Sequence, residues 1–152
     1  MIELEIQRQL QDPKIPEDAR IERWVQHVLA GQGAAMVNVR IVDLAEGWAL
    51  NRQWRGKDSA TNVLSFPADM PAADDVRVLG DVVLCAPVIE REAAEQDKDL
   101  EAHWAHLVIH GLLHLQGFDH IDGERAGVME SREIELLAEL GFPNPYESSN
   151  GR

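Results

Sequence analysis

Apolar and polar residues alternate with two different periods along the chain, and these periods predict an interleaved order of strands and helices. Apolar residues fall on every second position over 2–6 and again over 37–41, which is typical of half-buried strands. Between these segments the apolar residues recur at helical spacing, and Gly31 and Gly33 follow them. The pattern therefore predicts a strand, a helix over roughly 16–30, and a second strand.

The remainder of the chain continues this alternation and then becomes helical. Asp43 and Glu46 have the spacing of a capping box that opens a helix reaching towards Gly56. Two apolar, β-branched runs predict strands over 61–66 and 78–85, separated by an exposed loop rich in Ala, Asp and Pro. Helical patterns follow over roughly 87–96, 99–116 and 122–141.

This order predicts the fold class. Four strands interleaved with and followed by helices indicate an α/β (α+β) fold with a single mixed sheet of about four strands covered by helices. The length of 152 residues suits a single domain over 1–152, with a tail that frays from about Asn144.

Composition favours a cytoplasmic protein. The first residues carry acids where a signal peptide needs a basic start, and no apolar run is long enough to span a membrane. Cys85 is the only cysteine, so no intrachain disulfide can form, and its apolar surroundings predict a small buried residue.

The net charge of −13 argues against binding nucleic acid through a broad basic surface. Residues 1–57 are balanced, and the acidic excess lies in the later part of the chain. Four basic residues lie close together in this balanced part of the chain: Arg40, Arg52, Arg55 and Lys57. One interpretation is a local basic strip, and the other is ordinary solvated charges.

The segment 110–120 carries the most specific signal for chemistry. His110 and His114 are four residues apart, which places both imidazoles on one face of a helix. Gly117 can end that helix, and the chain can then turn to deliver His120 as a third ligand. This spacing resembles that of the metzincin metalloproteases. Three imidazoles with one open position predict a catalytic zinc site at the end of a long helix.

Two other histidines lie on the same helical face. His106 and His110 form a competing pair for a metal ion, but the sequence shows no turn that would bring them a third ligand. His103 and His106 are therefore interpreted as polar packing residues near the site.

Gly111 distinguishes between types of hydrolysis. Metzincins have a glutamate directly after the first histidine, where it acts as the general base for peptide hydrolysis. Gly111 cannot accept a proton, so hydrolysis would depend on the metal ion together with a cation from elsewhere in the chain. Arg55 is the candidate cation, because a guanidinium makes planar, two-point contacts to phosphate, although an ordinary basic loop is an alternative.

Several runs together resemble the YbeY family, the bacterial endoribonucleases linked to ribosomal RNA maturation and ribosome quality control. These runs are Arg-Gly-Lys-Asp at 55–58, Thr-Asn-Val-Leu-Ser-Phe-Pro at 61–67, Leu-Gly-Asp at 79–81, and the histidine segment that ends Gly-Phe-Asp-His at 117–120. The resemblance covers roughly 50–145, and Phe118 stands where the family usually has tyrosine.

The resemblance implies a specific activity. His110, His114 and His120 would bind one Zn²⁺ ion, and Arg55 would be the catalytic arginine. The expected function is single-strand-specific endoribonuclease action in 3′ end maturation of small-subunit ribosomal RNA, with RNA and the ribosome as partners. A metal-dependent peptidase or other hydrolase, and a non-catalytic ribosome-associated factor, remain as alternatives. The roles of Asp81 and Asp119, and of Trp54 as a base-stacking residue, are left open.

Overall fold

The computed structural model describes residues 1–57, 59–68, 75–119 and 122–147. Strands and helices follow one another in an order that agrees with the apolar periodicity. They are β1 (Ile2–Arg8), α1 (Asp18–Leu29), β2 (Ala35–Val42), α2 (Leu44–Arg55), β3 (Val63–Pro67), β4 (Arg77–Cys85), α3 (Ala86–Glu95), α4 (Leu100–Leu115) and α5 (Gly123–Glu139).

The strands form one mixed sheet with the order β1-β2-β4-β3. β1, β2 and β4 are parallel, whereas β3 runs antiparallel to β4. The α+β prediction with a single mixed sheet is therefore confirmed. Because β3 pairs with β4 alone among the described strands, it forms one edge of the sheet.

The two faces of the sheet carry cores of different size, because successive side chains of a strand point to opposite faces. Val82 and Leu84 of β4 belong to the larger core, together with buried residues of α1, α4 and α5. Val83 and Cys85 belong to a smaller core that also contains Leu64 of β3. The cysteine is buried, as its sequence context predicts.

The start of α2 is held by a local capping hydrogen bond and by an ion pair to β2. The Asp43 carboxylate accepts a hydrogen bond from the Glu46 backbone N–H, which is half of the predicted capping box. The Glu46 carboxylate does not return to the cap. It accepts from Arg40 of β2 at 2.5 and 2.9 Å, and Gln9 accepts the hydrogen bond of the Asp43 N–H.

Two expectations concern segments that the structure describes only in part. Residues 69–74 of the predicted exposed loop lie outside the described residues, as do 148–152 of the tail expected to fray. Within the described part of that tail, the Pro145 carbonyl accepts from Lys98 and the Tyr146 hydroxyl contacts Glu133. No helix among the described residues has both the length and the apolar content to cross a bilayer.

Candidate active site

The predicted histidines lie along α4, which is buried over most of its length. Asp99 opens this helix by accepting a hydrogen bond from the Ala102 N–H. The rings of His110 and His114, one turn apart, meet edge to face with centroids 4.7 Å apart. Beyond the helix, Gly117 has a φ of 98°, in the left-handed region that favours glycine. His120, the third expected ligand, lies outside the described residues.

Arg55 is the last residue of α2, so its position is set by a helix end rather than by an irregular loop. Gly56 follows it with a φ of 68° and donates its N–H to the Arg52 carbonyl at 3.1 Å. This left-handed residue ends the helix and turns the chain towards β3. Arg55 therefore projects from a defined backbone position.

A cleft of about 360 Å³ at the edge strand β3 brings the predicted residues together. Its wall contains the end of α2 and the following loop, the start of β3, and two histidines of α4. The predicted residues on this wall are Arg55, Lys57, His110 and His114, and the polar side chains of Asn51, Asn62 and Ser65 lie beside them. A cation and two imidazoles therefore face a shared space, although they are more than 50 positions apart in the chain.

Gly111 lies against the sheet. A β-carbon at this position would have Val82 and Ser65 as its nearest neighbours, and the Ser65 hydroxyl donates to the Gly111 carbonyl at 3.1 Å. A side chain at position 111 would thus point into the contact between α4 and the sheet. The packing of α4 against the sheet therefore requires glycine at position 111, where the metzincin pattern has its glutamate base.

Glu133 of α5 is a site residue that the sequence interpretation missed. Its carboxylate is completely buried and accepts hydrogen bonds from His106 Nε2 at 3.0 Å and from His110 Nδ1 at 2.6 Å. The Tyr146 hydroxyl donates to the same oxygen as His106. A signal for it exists in the sequence, because Glu133 falls on the apolar stripe of α5 with Met129, Leu136 and Leu137.

The hydrogen bonds determine the charge of this carboxyl group. Burial opposes ionisation of Glu133, but the donors His106, His110 and Tyr146 outweigh it and lower its pKa to about 2. The same contact raises the pKa of Tyr146, where burial is the larger cause and the Glu133 charge adds to it. Glu133 is therefore an anion at neutral pH, inside the protein.

This cluster gives the competing histidine pair the third ligand that the sequence did not reveal. Ligand atoms of His106, His110 and Glu133 lie within 4.8 Å of one another, so the three side chains could hold a metal ion. His110 belongs both to this cluster and to the predicted set with His114. Among the described residues this cluster is the three-residue group that could hold a metal, and it shares His110 with the predicted set of His110, His114 and His120.

A second carboxylate, that of Glu92, holds a residue of the cleft wall in place. Glu92 of α3 accepts from His103 Nε2 at 3.0 Å and from Asn62 at 2.9 Å. Burial raises its pKa, but these hydrogen bonds outweigh that effect and lower the pKa overall. His103 is thus a buried packing residue, as predicted, and its partner also fixes Asn62 at the cleft.

The remaining candidates lie around the site rather than in its centre. Trp54 is 61% exposed and meets the edge of Phe66, in a neighbouring groove that Asp81 also lines. Asp81 accepts a hydrogen bond from Asn38 on the adjacent strand. The Asp119 carboxylate, in the segment after α4, lies 3.6 Å from the Arg125 guanidinium.

Comparison with known proteins places this chain in a family. The model of the family described as Endoribonuclease YbeY matches residues 5–141. A protein of that name from Pseudomonas putida is 59% identical over 148 residues, which are 96% of this chain and 94% of the relative. One from Pseudomonas fluorescens is 55% identical, with 96% and 97% covered.

A solved structure is also similar. The solution structure of a Thermotoga maritima protein matches with a TM-score of 0.58 and 26% identity, covering 100% of this chain and 99% of the other. The match to the family model and the identity to the curated relatives show that the chain belongs to the YbeY family of endoribonucleases.

Proposed function

We propose that this protein is a metal-dependent endoribonuclease that cuts single-stranded RNA in the cleft between α2 and α4. The observation that carries the proposal is that Arg55, His110 and His114 line the same cleft. A guanidinium in the same cleft as two side chains of metal-ligand type suits a phosphodiester, whose transition state gathers negative charge on the phosphoryl oxygens. The names of the relatives support RNA as the substrate.

His110, His114 and His120 would hold one Zn²⁺ ion. The donor set fits, because imidazoles are preferred zinc ligands and the two described rings are already in contact. When bound, zinc would supply Lewis acidity to the scissile phosphate and make water more acidic. Arg55 would grip a phosphate oxygen, and Asn62, held by Glu92, would help to orient the substrate.

The His106–His110–Glu133 cluster is a weaker candidate for the catalytic ion. Both oxygens of Glu133 already accept hydrogen bonds, so an ion would have to displace the protons that make them. The cluster also lies deeper than the cleft, since Glu133 has no exposed surface and His106 is nearly buried. A catalytic ion needs an open position for substrate, which favours the site that shares the cleft with Arg55.

A peptidase is disfavoured by Gly111. The general base of the metzincin pattern has no counterpart at this position, and packing against Val82 leaves no space for one. Zinc would make bound water more acidic, which reduces the need for a separate base, and the Arg55 guanidinium suits a phosphoryl oxygen better than a peptide carbonyl.

We place this activity in the cytoplasm, in 3′ end maturation of small-subunit ribosomal RNA and in ribosome quality control, on the basis of the family resemblance. The net charge of −13 makes general attraction to RNA weak. Recognition would therefore depend on the few cations at the cleft and on the ribosomal context of the substrate.

Purified protein provides the test. Metal content is measured by elemental analysis, and cleavage is followed on single-stranded and duplex RNA for the wild type and for Arg55→Ala. We expect about one zinc per chain, cleavage of the single strand alone, and loss of cleavage with zinc retained in the variant. Full cleavage by metal-free protein, or by Arg55→Ala, would contradict the proposal.

A further inference from the structure

We propose that Glu133 is a positioning residue, which fixes the ring orientation and tautomer of His110 so that Nε2 of this histidine serves the metal ion. The inference rests on the proposed role of His110 as a ligand. It adds a residue from α5 that does not line the cleft.

The hydrogen bond to His110 selects one ring nitrogen. A neutral imidazole has a proton on one nitrogen and a lone pair on the other. Since His110 donates from Nδ1 to Glu133 at 2.6 Å, its lone pair lies on Nε2. A carboxylate on the far nitrogen of a metal-binding histidine is a recurrent arrangement, because it fixes the ring and makes it a stronger ligand.

The other histidines of α4 that are bonded to carboxylates have the opposite arrangement. His103 and His106 present Nε2 to Glu92 and Glu133, respectively. Their Nδ1 atoms are buried without a hydrogen-bond partner, as suits nitrogens that carry no proton. The pairing of Glu133 with His110 is therefore the one of the three that directs Nε2 away from its carboxylate.

Glu133 is itself held in place. Its Oε1 accepts hydrogen bonds from His106 and Tyr146, and its Oε2 accepts the one from His110. Rotation of the carboxylate would break all three contacts without access to water, because the side chain has no exposed surface. The orientation of His110 is thus fixed from α5 and from the segment after it.

The hydrogen bond to His110 has a second effect. A carboxylate that accepts the Nδ1 proton makes the opposite ring nitrogen a stronger electron donor, so Glu133 would also strengthen His110 as a ligand. Removal of such a partner typically weakens metal binding by about 10–100-fold.

Nitrogen-15 NMR of the histidine rings tests the tautomer in the wild type. In metal-free protein we expect a slowly exchanging proton on His110 Nδ1 and a lone pair on Nε2. On addition of zinc, the Nε2 signal should shift and the Nδ1 proton should remain. Loss of the Nδ1 proton on zinc binding would overturn the inference, because it would make Glu133 and His110 Nδ1 direct ligands.

Variants test the energetic role. Zinc affinity is measured by competition with a chromophoric chelator for Glu133→Gln and for the matched control Glu92→Gln, which alters the partner of His103. We expect Glu133→Gln to bind zinc about 10–100-fold more weakly and Glu92→Gln to bind it as the wild type does. Equal affinity in Glu133→Gln and the wild type would refute the positioning role.

Tyr146→Phe separates orientation from packing. It keeps the carboxylate but removes one of its donors, so the Nδ1 proton of His110 should persist. If the variant instead loses this proton while Glu133→Gln keeps it, Tyr146 rather than Glu133 fixes the ring. Failure of the wild type to bind zinc would contradict the proposed function. A zinc affinity that does not change in Glu133→Gln would contradict this inference alone.

Discussion

Gly111 approaches Val82 so closely that a β-carbon at position 111 would lie 2.6 Å from Val82 Cγ1. Val82 is fully buried in the middle of the larger core and has no flexible end that could move aside. The contact sets the distance between α4 and the sheet, and with it the position of His110 at the cleft.

Gly111→Ala should therefore destabilise the protein, even though alanine is the better helix former. Overpacking of a filled core costs about 1–3 kcal/mol, which exceeds the helix-propensity gain of about 1 kcal/mol. Urea denaturation measures the change. Gly127→Ala on α5, where no atom of the described residues lies within 4 Å of the new β-carbon, is the control and should gain stability. If both variants gained stability, the close contact would not be limiting.

Arg55→Lys should separate catalysis from folding. Lysine keeps the charge but loses the planar two-point grip on phosphate, so turnover should fall by about 100-fold or more. Zinc content and melting temperature should stay the same, because Arg55 is exposed at the end of α2. Arg132→Lys, on α5 beside Glu135, provides a control of the same chemistry away from the cleft. Unchanged turnover in Arg55→Lys would shift the role to Lys57.

Removal of metal should lower the melting temperature as well as activity. A ligand present at about 100 times its dissociation constant adds about 2.7 kcal/mol, which corresponds to a shift of about 5–10 °C in a domain of this size. Differential scanning calorimetry before and after chelation measures it, and added zinc should restore the original curve. A melting temperature that is indifferent to verified metal removal would argue against three gathered imidazoles as the ligands.

Glu92 should make stability depend on pH in the acid range. Because its folded pKa lies below the usual 4.5, the ionised carboxylate stabilises the fold above about pH 4.5, and this contribution is lost as the pH falls through the folded pKa. Glu92→Gln should thus be less stable than the wild type at about pH 7, with the difference shrinking below about pH 4.5.

Urea denaturation of Glu92→Gln and the wild type at a series of pH values measures this difference. Glu22→Gln, at an exposed position of α1, controls for the loss of one negative charge. A difference between Glu92→Gln and the wild type that persists unchanged to low pH would show that the carboxylate is not stabilised by its donors.

The elements of this fold could be predicted from sequence because their signals are local. Asp43 marks the start of α2 and Gly56 its end, and each acts through hydrogen bonds within a few residues. The order of the strands has no such signal. β4 lies between β2 and β3, and this pairing is a property of the folded sheet rather than of any window of sequence.

The site residues also differ in whether the sequence alone could reveal them. His110 and His114 are related by one helical turn, so their proximity could be predicted directly. Glu133 and Tyr146 reach the same histidine from α5 and from the segment after it, and their pairing depends on how the helices pack. A charged residue on an apolar stripe is a visible anomaly, but no local pattern indicates which side chains pair with it.

The cleft joins side chains from helices that pack against different cores, with Arg55 on α2, whose Leu50 packs against the smaller core, and the histidines on α4 of the larger core. Because the two cores are separate clusters, a change that preserves the packing of each need not preserve the span between the two helices. Selection for thermal stability alone would therefore retain variants that have lost catalytic alignment. Directed evolution of this enzyme needs a screen for turnover beside any screen for folding.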